Sequence, residues 1–151
     1  MRVSLVILGL MVAFMAPNFF RDNWQAQAEE VVDENPRLVA AMFRSSWCSA
    51  CRIIEPRIDD VKDDYENRAV EFIRFDFTMG QRDGLRRIAE DEGIIDLYDR
   101  LAGRTGFMVL MDRETGTVIE MITMAYDREQ IREALDRSLG LMASIEADEA
   151  A

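Results

Sequence analysis

Two cysteines stand three residues apart in Trp47-Cys48-Ser49-Ala50-Cys51, and the chain has no others. Thiolates attack disulfide sulfurs, so a pair with this spacing can cycle between dithiol and disulfide. A short, unbroken apolar run, Leu38-Val-Ala-Ala-Met-Phe43, comes first, and Arg44-Ser-Ser-Trp47 leads away from it. Beyond Cys48 the apolar residues switch to helical spacing at Ile54, Ile58, Val61 and Tyr65. Cys48 is therefore expected at the start of a helix, where free amides and the positive end of the dipole favour thiolate over thiol. Cys48, nearer the exposed end, is the expected nucleophile. Cys51, one turn inside, is the expected resolving thiol. The competing reading is a structural disulfide, which gains little loop entropy by closing so short a loop.

The rest of the composition removes other chemistries. Among 151 residues there is no His, which excludes His-dependent triads and His general bases. Two cysteines without His cannot complete a tetrahedral zinc site within one chain. Metal or iron–sulfur binding would need cysteines from two chains, so no metal and no cofactor is expected of one chain. A net charge of −11 argues against nucleic acid, which needs clustered Lys and Arg. The 49% apolar share is enough for a core.

The pair must be positioned by the elements around it. Residues 1–28 read as an export segment: Arg2, an apolar run to Ala16, and a small-x-small site at Ala26-Gln27-Ala28. An uncleaved anchor over Val3–Phe20 is the alternative, at the lower limit for spanning a bilayer. Either way the cysteines are expected in an oxidising space, the periplasm, where the protein is free or held at the inner membrane. Residues 29–145 are expected to form one domain, and 146–151 a frayed acidic tail. Within the domain Leu38–Phe43 reads as a strand buried on both faces, and Ala69–Asp76 as a second strand. Thr78–Asp83 reads as a loop. Leu85, Ile88 and Ala89 mark a helix ending near Gly93, and Ile94–Leu101 a further helix. Phe107–Met111 and Thr117–Thr123 flank a hairpin turn. Asp127 and Gln130 have capping-box spacing ahead of a last helix that places Ile131, Leu135 and Leu139 inward. The order predicts an α/β fold with a mixed central sheet flanked by helices, and a long helical excursion before the C-terminal hairpin.

From about Leu38 to Leu139 the chain resembles the thioredoxin family. Trp-Cys-x-x-Cys at a helix start carries the likeness, with Pro56 five residues after the second cysteine, inside the helix it is expected to kink. The resemblance implies a thioredoxin-like fold and disulfide exchange with protein partners. For an exported member these would be envelope proteins with cysteines and an upstream electron donor or acceptor. It also implies a substrate-binding set around the sulfurs: Trp47 as a lid, Thr105 and Gly106, and Met124. Met79 lies in another loop that flanks the sulfurs in this fold. Arg44 and Arg52 are read as solvated surface residues.

The departures matter as much. The family's buried carboxylate, six residues before the first cysteine, falls on Met42, so Cys51 lacks its usual proton acceptor. The family's cis-proline is replaced by Gly106, and the Thr105–Gly106 bond is expected to be trans. A Gly106→Pro change is expected to raise activity if the loop accepts the ring. Ser49-Ala50 stands where thioredoxins carry Gly-Pro, which leaves the direction of electron flow open. A low-turnover partner-binding module is the alternative that these departures favour.

Overall fold

The computed structural model describes residues 36–80 and 82–151. The chain order is β1 (Leu38–Arg44), α1 (Ser49–Lys62) with a 3-10 turn at Asp63–Tyr65, β2 (Val70–Asp76), α2 (Arg82–Asp91), α3 (Ile95–Leu101), β3 (Phe107–Asp112), β4 (Val118–Thr123) and α4 (Arg128–Glu149). The four strands form one mixed sheet in the order β2-β1-β3-β4. β1 runs parallel to β2 and antiparallel to β3, and β4 closes the hairpin on β3.

The apolar run of β1 is explained by this placement. Leu38, Ala40 and Met42 face a core shared with Ile54, Ile58 and Val61 of α1 and Ile131 and Leu135 of α4. Val39, Ala41 and Phe43 face the other core, with Leu85 and Ala89 of α2 and Leu97 and Tyr98 of α3. A central strand covered on both faces has no polar side to alternate. Phe43 anchors the second core through ring contacts with Phe75 at 5.1 Å and Phe107 at 5.3 Å.

Two boundaries differ from the sequence reading. The loop after β2 is shorter than expected, because α2 already starts at Arg82. Residues 146–149 are helical rather than a frayed tail: α4 runs to Glu149, whose carboxylate lies 2.7 Å from Arg37 Nη1. Arg37 is buried and also grips Asp112 through Nε at 2.9 Å and Nη2 at 3.1 Å. That grip gives the last turn a partner which local sequence could not announce. The export or anchor reading of 1–28 lies outside the described residues.

Candidate active site

The site forms where β1 ends and α1 begins. Cys48 is the N-cap of α1, with extended backbone, and its sulfur accepts a hydrogen bond from the Cys51 amide at 3.1 Å. Its own amide donates to the Ser45 carbonyl at 3.2 Å, which fixes the turn ahead of the helix. No acidic residue occupies the first turn of α1 to compete with a thiolate. Cys48 is partly exposed and Cys51 is buried, and both are free thiols. The sequence assignment of an accessible first sulfur and an enclosed second one agrees with this geometry.

Electrostatics separates the two thiols further. Burial pushes the Cys48 thiol up. Hydrogen bonds from the Cys51 thiol, the Thr105 hydroxyl and the Cys51 and Ala50 amides outweigh it and bring Cys48 below the ordinary cysteine value. Cys51 moves the other way. Burial raises it first, its hydrogen bond to Cys48 adds to that, and the negative charges of Cys48 and Glu55 raise it further against a bond from the Ser45 amide. The pair is thus biased toward thiolate at Cys48 and thiol at Cys51.

Thr105 and Gly106 reach the site across the sheet. The Gly106 amide donates to the Phe43 carbonyl at 2.8 Å, which seats the segment beside the end of β1. Gly106 has φ of +103°, and an ideal Cβ there would stand 2.9 Å from Ala50 Cβ and 3.2 Å from Cys48 Sγ. No peptide bond among the described residues is cis, so Thr105–Gly106 is trans as expected. The expected gain from Gly106→Pro is overturned. Proline requires φ near −65°, has no amide to give Phe43, and its ring would enter space held by Ala50 and the sulfur. Thr105 also does more than line a surface, since its hydroxyl reaches Cys48 itself.

Trp47 is 81% exposed on the turn before Cys48, and Met79, after β2, is 80% exposed. Met124 is half exposed, and its carbonyl accepts from Arg57 of α1 at 3.0 Å. Arg57 also bonds the Tyr126 carbonyl at 2.5 Å, so the β4–α4 loop is tied to the helix that carries the cysteines. Met42 is buried in the same core cluster as Cys51. It lines a cavity of about 40 Å³ with Ala40, Phe72 and Met108, and Asp59, Lys62 and Arg74 line the same cavity.

Arg44 is not the solvated residue the sequence suggested. Its side chain is 19% exposed, with Nε 2.8 Å from Glu55 Oε1, and it pairs with Asp76 on the neighbouring strand. The parallel register sets Arg44 beside Asp76, which explains the second pair. Asp76 in turn accepts from the Thr78 amide at 2.9 Å, and Thr78 Oγ1 accepts from the Ser46 amide at 2.8 Å. A polar belt therefore runs from Glu55, one turn past Cys51, to Ser46, two residues before Cys48. Sequence reasoning missed it, because each link joins residues from different elements. Arg52, by contrast, is exposed as expected and reaches only the Ser46 carbonyl, at 3.5 Å.

Part of the chain is similar to known proteins. Residues 20–86 match the family model described as thioredoxin. Thioredoxin H2 of Arabidopsis thaliana is 36% identical over 53 residues, which is 35% of this chain and 38% of that protein. The match thus spans well under two thirds of that relative's length. Among solved structures, the thioredoxin of Fasciola hepatica is 22% identical with a TM-score of 0.46, over 76% of this chain and 93% of that one. Thioredoxin O2 from Arabidopsis thaliana, in its oxidised state, is 16% identical with a TM-score of 0.43, over 77% and 86%. Over residues 20–86 the chain is similar to the thioredoxin family, and its mixed sheet with flanking helices and helix-start Cys48–Cys51 pair fit a thioredoxin-like fold.

Proposed function

We propose that this protein is a thiol–disulfide oxidoreductase acting on cysteine-bearing proteins outside the cytoplasm. The observation that carries the reading is the geometry at Cys48: a partly exposed sulfur capping α1 and receiving the Cys51 amide. In the forward step the Cys48 thiolate attacks a partner disulfide, forming a mixed disulfide and releasing one partner thiolate. Cys51 then loses its proton and attacks Cys48 Sγ. The Cys48–Cys51 bond forms, the Cys48–partner bond breaks, and the second partner sulfur leaves as a thiolate that takes up a proton. The partner gains two electrons and the Cys48–Cys51 pair loses them. Reversal of the same steps oxidises a partner, and the redox poise of the pair sets the direction.

The exported setting is supported by the apolar run after Arg2 and the Ala26-Gln27-Ala28 site, with cleavage favoured over a retained inner-membrane anchor. Trp47, Met79 and Met124, all exposed, supply apolar contacts for a partner. A slower, partner-holding variant of this function is favoured by two observations: Met42 in place of a carboxylate, and the glycine at 106.

Trapping tests the assignment. A Cys51→Ser variant accumulates mixed disulfides with envelope proteins, resolved by non-reducing electrophoresis, whereas Cys48→Ser does not. Equal trapping by both variants, or none by either, rejects the roles given to the two sulfurs. Recovery of the trapped species from the cytosolic fraction alone rejects the compartment.

A further inference from the structure

Glu55 and Arg44 have no part in the scheme above, yet Glu55 follows the slower thiol by one helical turn and Arg44 pairs with it. Glu55 lies four residues after Cys51 on α1, the spacing that puts two side chains on one helix face. Its carboxylate is only 17% exposed and is held from two sides: Arg44 Nε at 2.8 Å from the end of β1, and Arg74 Nη1 at 3.5 Å from β2. Arg74 Nη2 also pairs with Asp59 at 2.7 Å. Both guanidiniums meet the same oxygen, Oε1, and fix the carboxylate beside α1. Its charge acts on Cys51 one turn away, in the sense that disfavours the Cys51 thiolate.

We propose that Glu55 is a positioning residue that prolongs the mixed disulfide by holding a negative charge one helical turn from the resolving thiol. The inference rests on the disulfide-exchange reading and adds to it a built-in brake on the second step. Charge at Glu55 opposes formation of the Cys51 thiolate, which must appear before Cys51 can attack Cys48. Among the groups around Cys51, the Cys48 thiolate acts in the same sense until it is consumed in the mixed disulfide, and the Ser45 amide acts against it. Arg44, Arg74, Asp59 and Asp76 act through their pairing with Glu55 or with each other, and Arg52 points to the Ser46 carbonyl. From β3 the cluster around Cys51 receives Met108 and Leu110, and from α4 Ile131 and Leu135, none of which titrates, while the hydroxyl of its Tyr65 donates to the Arg132 carbonyl and to Asp136. Once the partner occupies Cys48, Glu55 remains as a charge that acts on Cys51.

The charge stands one turn from Cys51, whereas Cys48 is set by its burial and by donors from the Cys51 thiol, the Thr105 hydroxyl and the Cys51 and Ala50 amides. The brake accordingly acts on resolution and leaves capture alone.

The full-length reduced protein mixed with the aromatic disulfide dithionitrobenzoate provides the test. Attack by Cys48 releases one thionitrobenzoate, and resolution by Cys51 releases the second, so stopped-flow absorbance reads the two steps as two phases. In Glu55→Gln the second phase at neutral pH is expected to accelerate about threefold to tenfold, with its pH profile displaced toward acid, as loss of a nearby charge requires. The first phase stays within about twofold by the same reasoning. Glu55→Asp keeps the charge and is expected to restore the slow second phase. Arg44→Gln, which strips the counter-charge, is expected to slow it. An unchanged or slower second phase in Glu55→Gln, with a normal first phase, overturns the brake while leaving disulfide exchange intact. Absence of the first phase in the unaltered protein overturns the exchange reading itself, and the brake with it.

Discussion

Gly106 and Cys48 approach so closely that a single methyl group on the glycine would stand 3.2 Å from the sulfur. The approach is fixed by the Gly106 amide on the Phe43 carbonyl and by a backbone turned to φ of +103°. Gly106→Ala therefore strains the backbone and crowds Ala50 together with the nucleophile. Denaturant unfolding is expected to show a loss of about 1–3 kcal/mol. Gly106→Pro is expected to lose more, since it also deletes the bond to Phe43. A Gly106→Pro protein of unchanged stability would contradict this geometry.

Thr105 bears on the same sulfur through its hydroxyl. Thr105→Val preserves shape and removes the donor, which leaves the Cys48 thiolate with amide donors and the Cys51 thiol. The sign follows directly: a lost donor to the charged form raises the pH needed to form it. Alkylation of Cys48 by iodoacetamide at mildly acidic pH is expected to slow about fivefold or more, the worth of a hydrogen bond to a charged group. At alkaline pH, where both proteins are thiolate, the two rates are expected to converge. A constant ratio at every pH would mean that Thr105 acts on access alone.

Met42 offers the opposite experiment to Glu55. Met42→Asp places a carboxylate in the small cavity among Ala40, Phe72 and Met108, which Asp59, Lys62 and Arg74 also line. Such a group is a proton acceptor, so resolution is expected to quicken at neutral pH. Stability is expected to fall by about 1–3 kcal/mol, the cost of burying a polar group among mostly apolar neighbours. Burial raises the folded-state pKa of the new carboxyl, so the penalty is small in acid, where it is neutral, and grows as pH rises through the folded value. Equal stability loss in acid and at neutral pH would show that the new side chain reaches solvent.

Acid lability is assigned to the other end of the sheet. Its hydrogen bond from Arg37 is the main reason that Asp112 lies below the usual carboxylate value, helped by bonds from Thr115 and the Glu114 amide against burial. A depressed folded-state pKa contributes stability that is complete above the unfolded value, about 3.9, and is lost as pH falls through the lower folded one. Asp112→Asn removes that contribution, so its unfolding midpoint is expected to be lower at neutral pH and flatter with pH below about 4. An acid unfolding curve with the slope of the unaltered protein would place the lability elsewhere.

The parts of the fold that show in the sequence are those fixed by local periodicity. The strand at Leu38–Arg44, the stripe Ile54, Ile58, Val61 and Tyr65, and the Asp127–Gln130 capping box each arise from one short stretch. The helix start at Cys48 is legible for the same reason, and with it the difference between the two sulfurs. What is not legible depends on register and on distant partners. Arg44 reads as a surface residue until the parallel pairing sets it beside Asp76 and α1 brings Glu55 to it. Glu146–Glu149 reads as tail until Arg37 accepts Glu149. Asp59, Asp60 and Asp64 are exposed, yet each meets an arginine from another element: Arg74, Arg128 and Arg132. Gly106 suggests a trans bond from its residue type, whereas its closeness to Cys48 comes only from the β1–β3 pairing that aligns Phe43 with Phe107.

The central claim is that Cys48 and Cys51 are a reversible redox pair, and a redox titration of the full-length protein with mass readout tests it most directly. Equilibration across a series of thiol–disulfide buffers, acid quenching and alkylation of the remaining thiols distinguish the dithiol from the internal disulfide. One sharp two-electron transition is expected, in which both cysteines lose their alkylation sites together, and it is expected to be absent in Cys48→Ser and Cys51→Ser. Two thiols that stay alkylatable across the whole range of buffers, or a disulfide that no buffer reduces in the folded protein, would contradict it.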